Sequence, residues 1–144
     1  MRMICSSILA ATLVLSGCHS PAPRMREHSG SGIKYVVLDH PAAKSSFRVV
    51  INARAVYVHY HAYMTKTTDF VDQVAPQTWA TVEEAIASHD YESGMGDSYS
   101  DIHVAIYYVN KDFQSGHVEW KDGVTKGRAL RRVYKAYLEK ARAY

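Results

Sequence analysis

The sequence predicts an α+β domain: an antiparallel sheet of four to five strands with two or three helices on one face. Three observations predict it. Phe47 to Met64 and Asp101 to Lys121 are rich in β-branched and aromatic residues that alternate with polar ones. Thr125 to Ala143 carries apolar residues at helical spacing. The strand-like runs are grouped, with helical runs between and after them, and that grouping is the mark of the α+β class.

The N-terminal residues stand apart from that domain. Met1-Arg2-Met3 is positively charged, Ile4 to Leu15 is a short apolar run diluted by small residues, and Ser16-Gly17-Cys18 closes it. A charged start, a short apolar core and a small-residue end form a secretory signal. The run is shorter than the roughly 20 apolar residues of an ordinary membrane span. Its end, Leu15-Ser16-Gly17-Cys18, resembles the lipobox of bacterial lipoproteins. The resemblance covers residues 1–18 alone. It implies a cleaved signal peptide over residues 1–17 and a Cys18 that carries covalent lipid and becomes the first mature residue. Several acyl chains hold a protein durably where one holds it marginally. His19 follows in place of the Asp that the family's enterobacterial rule associates with inner-membrane retention. The resemblance therefore implies an outer-membrane lipoprotein facing the periplasm. The other cysteine, Cys5, lies in the signal, so the mature body has neither a thiol nor a disulfide.

Residues 18–32 follow as the lipidated Cys and a flexible tether. His19 to Gly32 is dominated by Pro, Ser, Gly and charge, without apolar periodicity. Its reach is about 46 Å at full extension and roughly 20 Å as a coil. Residues 33–144 are then a single α+β domain, of a length that suits one core.

Within that domain, Ile33 to Leu38 is a strand, followed by a loop from Pro41 to Ser46. Phe47 to Met64 changes parity midway. Phe47, Val49 and Ile51 share one face, whereas Val56, Val58, Tyr60, Ala62 and Met64 share another. A one-residue shift exchanges the faces of a strand, so Asn52-Ala53-Arg54 holds a turn or a bulge. The hairpin is favoured, because eighteen residues is long for one strand. Thr68 to Ala75 is a short helix that Pro76 ends or kinks. Thr81 to His89 is a second helix, with Thr81 and Glu84 spaced as a capping box. Asp90 to Ser100 is an acidic, glycine-bearing loop. Asp101 to Val109 and His117 to Lys121 are strands, and Thr125 to Ala143 is the last helix.

The strand parities gather one chemical surface. With the apolar faces against the helices, the opposite faces carry Tyr57, His59, His61, Tyr63, His103, Tyr107, His117 and Glu119. Tyrosine offers a large amphipathic contact at low entropy cost and is enriched at interfaces. The candidate binding surface is Tyr57, His59, His61, Tyr63, His103 and Tyr107, set against an ordinary solvated sheet face. A zinc site is the alternative: His59 and His61 point the same way on a strand, and His103 or His117 would complete a three-histidine site with an open position for water.

Other features are weaker. The acidic residues Asp90, Glu92, Asp97 and Asp101 lack EF-hand spacing, and Gly94-Met95-Gly96 does not open a helix after a strand. The last helix holds seven Lys or Arg and one Glu. Its basic face would suit an anionic surface, although its apolar stripe is most simply core with a solvated basic side. No catalytic residue set stands out. The sequence therefore points to a lipid-anchored, periplasm-facing binding module that docks on a protein partner. It would be an immunity or inhibitor-type protein, or an accessory subunit of an envelope assembly, with membrane contact through its anchor, no cofactor beyond the covalent lipid and no nucleic acid. The alternative is a small zinc-dependent enzyme.

Overall fold

The structure is a computed structural model that describes residues 32–144 except Ala43, Ser98 and Lys111. The signal, Cys18 and the tether up to residue 31 lie outside the described residues. Seven strands and two helices follow in the order β1 (Ile33–Ala42), β2 (Ser45–Ile51), β3 (Ala55–Ala62), β4 (Lys66–Gln73), α1 (Pro76–Ala87), β5 (Glu92–Ser93), β6 (Asp101–Tyr108), β7 (Phe113–Glu119) and α2 (Arg128–Ala143). The strands form one antiparallel sheet in the order β4-β3-β2-β1-β6-β7-β5. The α+β class holds, and the sheet is larger than the four to five strands expected.

The parity change at residues 52–54 is a hairpin. Ile51 pairs with Val56 across it, and Asn52 Oδ1 accepts from the backbone N–H of Arg54 and Ala55. The turn residue closes its own loop, as Asn does.

The expected helix at 68–75 is instead β4, which pairs with β3 along its whole length from Ala62–Lys66 to Ala55–Gln73. Thr68 and Phe70 turn to the core side, and Thr67, Asp69 and Val71 to the other. Phe70 and Val71 are adjacent, so this short stretch fits both periods, and pairing with β3 decides between them. Pro76 accordingly starts a helix. It occupies the first turn of α1, where its missing N–H costs nothing. Thr81, expected as a cap, lies inside α1, and its hydroxyl donates to the Gln77 carbonyl.

Two further strands run longer than expected. β1 continues through Pro41 because its pairing with β6 stops at Asp39–His103, while pairing with β2 continues to Ala42–Ser45. There β1 is locally an edge, the place in a sheet that tolerates proline. β7 begins at Phe113 and includes Gly116, against which the Tyr91 ring and the Glu92 carbonyl pack so closely that a Cβ would sit 2.4 Å from the ring.

Alternate residues of the five long central strands turn to one side and are fully buried: Val36 and Leu38, Val49 and Ile51, Val56 and Val58, Ile102, Val104 and Ile106, and Val118. Both helices cover that side. α1 contributes Trp79, Val82, Ala85 and Ile86, and α2 contributes Leu130, Val133, Tyr134 and Ala141. Tyr134 is the keystone of this layer. Its ring meets Phe47 edge-on at 4.8 Å and Trp120 at 5.3 Å, arrangements that add to simple area burial.

Arg131 explains how the chain enters α2. Its guanidinium is buried and donates to the carbonyls of Glu119, Lys121 and Val124, tying down the β7–α2 connection. Gly127 caps α2 with φ +75°, and its N–H donates to Asp90 Oδ1 at 2.5 Å. No described helix is long and apolar enough to cross a membrane.

Candidate functional site on the open sheet face

With both helices on one side, the other side of the sheet has no helical cover. A groove of about 710 Å³ lies on it, floored by β1, β2, β6 and β7 and overhung by Gly94 and Met95. One end is aromatic. Tyr35 of β1 stacks on Tyr107 of β6 at 4.4 Å, and Phe113 of β7 lies 5.1 Å from Tyr107. These residues meet because Tyr35 pairs with Tyr107 and Tyr107 with Phe113 in the register. Phe113 is more than half exposed, and Met95 is 91% exposed.

Two registers along from the aromatic residues, level with His103, the groove is charged. Asp39 and Arg48 are directly paired across β1 and β2, and Arg48 Nη2 donates to Asp39 Oδ2 at 2.9 Å. That hydrogen bond, with the attraction of the carboxylate, raises the Arg48 pKa.

The far end is covered by the segment before β6. Gly96 sits against the His117 ring and the Asp101 carboxylate, and a Cβ there would lie 2.6 Å from the ring. Asp101 Oδ2 accepts from Asp97 N–H at 2.9 Å. His117, against which Gly96 packs, is the cross-strand partner of His103. His103 Nε2 and His117 Nδ1 are buried without a hydrogen-bond partner among the described residues.

A second cluster occupies the same face on β3 and β4. Tyr57 Oη donates to Asp69 Oδ1 at 2.9 Å, and His59 Nδ1 lies 2.6 Å from the same oxygen. His61 Nδ1 lies 3.0 Å from Thr67 Oγ1. The hydrogen bonds from His59 and then Tyr57 lower the Asp69 pKa, whereas the bond to Asp69 raises that of Tyr57.

The six predicted surface residues therefore fall in different settings. Tyr57, His59 and His61 stand together on β3. Tyr63 follows β3 in the turn to β4 and is 60% exposed. Tyr107 belongs to the aromatic end of the groove. His103, expected on an open surface, is instead half-buried in the lining of the groove, beside His117.

The strand order also separates the expected zinc ligands. β2 and β1 lie between β3 and β6, so His103 is three strand spacings, about 14 Å, from the strand of His59 and His61. Zinc–nitrogen bonds of about 2 Å cannot bridge that distance. His117, one strand further, is more distant still. Among the described residues no group of three or more His, Cys, Asp or Glu side chains is placed to hold a metal ion.

Sequence reasoning missed Tyr35, Asp39, Arg48, Met95 and Phe113. For Asp39 and Arg48 a signal existed, since opposite charges on neighbouring strands pair when directly opposed. For Tyr35 there was little. β1 is central and apolar on both faces, so alternation did not assign its sides.

The basic surface of α2 is smaller than its composition suggests. Arg131 is turned inward, Lys140 pairs with Asp72, Lys126 lies 2.9 Å from Glu92, and Lys135 sits 5.2 Å over the Trp120 ring. These cations, three on α2 and Lys126 just before it, are engaged within the domain.

Fold and surface thus define a mixed α+β domain with one antiparallel sheet, helices on one side and an aromatic groove on the other. Comparison with protein-family models, with curated proteins and with solved structures found no match.

Proposed function

We propose that this chain is a lipid-anchored binding module of the bacterial cell envelope, facing the periplasm, which docks a protein partner on the open face of its sheet. The observation that carries the docking is the groove itself. An apolar, aromatic concavity with one internal charge pair is left without helical cover on a domain whose other sheet face is fully packed. Interfaces enrich such aromatic residues and Met at their centres, and exposed apolar patches with a polar rim mark interaction sites. Tyr57, Tyr63 and Val71 extend the exposed apolar surface toward β4. The Asp39–Arg48 pair gives an incoming chain a fixed dipole to align with. The immunity or inhibitor role and the assembly-subunit role both use a surface of this kind. The anchor in this proposal rests on Leu15-Ser16-Gly17-Cys18.

Photocrosslinking in intact cells tests the docking face. A photoreactive residue in place of Phe113 or Tyr57 should give one discrete protein adduct, and the same residue in place of Ala136 on the exposed side of α2 should give none. Adducts from Ala136 alone would overturn the assignment of the face. The anchor is tested separately: Cys18→Ala should release the chain from the membrane fraction, and a variant that still partitions with membranes would refute lipidation.

A further inference from the structure

The histidines of β3 carry an arrangement that docking does not explain. His59 and His61 are two apart on one strand, so their side chains project from the same face, with Cβ atoms about 7 Å apart. Each is paired in register with a β4 residue that engages its Nδ1: Asp69 for His59, and Thr67 for His61. The Asp69 carboxylate can only accept, so His59 Nδ1–H donates to it and the neutral ring presents Nε2 as its lone-pair nitrogen; the Thr67 hydroxyl can accept from His61 Nδ1–H, which gives His61 the same tautomer. Among the described residues neither Nε2 has a hydrogen-bond partner. The second imidazole nitrogen of a metal-binding histidine is commonly held this way, by a carboxylate or another acceptor that fixes tautomer and ring orientation and raises basicity.

We propose that His59 and His61 form an open two-imidazole site for a borderline divalent cation of the first transition row, Cu²⁺ most tightly and Zn²⁺ after it. β4 orients both ligands through Asp69 and Thr67. Imidazole suits these ions, and the divalent series peaks at copper. Two protein ligands leave the remaining coordination positions to water, so this is a binding site rather than the closed cage of a structural zinc. It needs no third histidine and lies outside the groove of β1, β2, β6 and β7, although Tyr57 of the docking face shares Asp69 with His59.

The test uses the full-length purified chain and Cu²⁺ alone. Titration should saturate at one ion per chain, with electron paramagnetic resonance showing coupling to two imidazole nitrogens. His59→Gln and His61→Gln should each abolish that signal, and His103→Gln should leave it. Asp69→Asn should weaken binding about 10- to 100-fold, as loss of such a supporting partner does elsewhere. Wild-type protein supplies a readout without substitution: Cu²⁺ should broaden the imidazole proton resonances of His59 and His61 before those of His40, His89, His103 and His117. Absence of saturable binding would overturn the proposal. So would a site that survives in the His59→Gln/His61→Gln double variant, which would place the ion on other histidines, including His19 and His28.

Discussion

Replacing Gly127 by Ala should destabilise the domain far more than replacing Gly123 by Ala. Both glycines have positive φ, +75° and +85°. At either position Ala incurs the left-handed backbone cost of about 1–2 kcal/mol. The loss of unfolded-chain freedom returns about 0.4–1 kcal/mol of that. The two sites differ in what a Cβ meets. At Gly123 nothing lies within 4 Å, whereas at Gly127 the Cβ would sit 2.4 Å from Val118 Cγ1. Val118 is fully buried and flanked by the sheet, so it cannot swing away. Overpacking of this kind costs about 1–3 kcal/mol. The difference between the variants is therefore about 1–3 kcal/mol, and in a domain of about 110 residues each kcal/mol moves the melting temperature by about 4 °C. Thermal unfolding followed by circular dichroism should place Gly127→Ala about 4–12 °C below Gly123→Ala. Equal melting temperatures would refute the close approach of the α2 cap to β7.

Tyr134→Ala removes the ring that joins Phe47, Trp120 and His40 across the helix–sheet interface, and chemical denaturation should show a loss of about 3–5 kcal/mol. Tyr91→Phe should leave stability unchanged or raise it, because the buried Tyr91 hydroxyl has no hydrogen-bond partner among the described residues; a clear loss of stability would reveal one. Acid unfolding should depend on Asp69, Asp72 and Glu92. Each has a lowered pKa, caused chiefly by hydrogen bonds from His59, Lys140 and Lys126 respectively. A depressed carboxylate contributes its full stabilisation above its unfolded-state pKa and loses it as the pH falls through its folded value. Stability should therefore decline below about pH 4.5, where unfolded carboxylates begin to take up protons. Asp72→Asn should flatten that decline, and because the pair with Lys140 is half-exposed, added salt should shrink the difference.

Legibility in the sequence followed the contrast between a strand's two faces. β3, β6 and α2 each bury one side and solvate the other, so their alternation or helical spacing was readable, and the parity break at residues 52–54 located a hairpin correctly. β4 reads as a helix in the sequence because Thr68 can cap it and Phe70, Val71 and Val74 fit one helix side, whereas in the sheet Phe70 turns toward the core and Val71 into solvent at 70% exposure. That choice also reversed the meaning of Pro76, which begins a helix rather than ending one. Missing β4 hid the partners of His59 and His61, since Asp69 and Thr67 belong to it. The cluster Tyr57, His59 and His61 was visible because it lies along one strand. The groove was not, because Tyr35, Arg48, Tyr107 and Phe113 come from four strands and meet only through register. Strand order is set by which apolar faces close together in space, and it decides that His103 belongs to the groove and not to the β3 histidines.

The position of β1 has a mechanical consequence. β1 is the central strand and enters the sheet directly from residue 32, whose carbonyl already accepts from Val109 N–H. It is paired on both flanks, to β2 and to β6, over most of its length. Tension drawn along β1 from its N-terminal end therefore loads two ladders in shear, and many hydrogen bonds must yield together. A hairpin pulled apart from its end would instead open one bond at a time. Forced unfolding is governed by the height of the unfolding barrier rather than by equilibrium stability. A domain held by its N-terminal end and pulled through its sheet face would meet that force at a strand paired on both flanks.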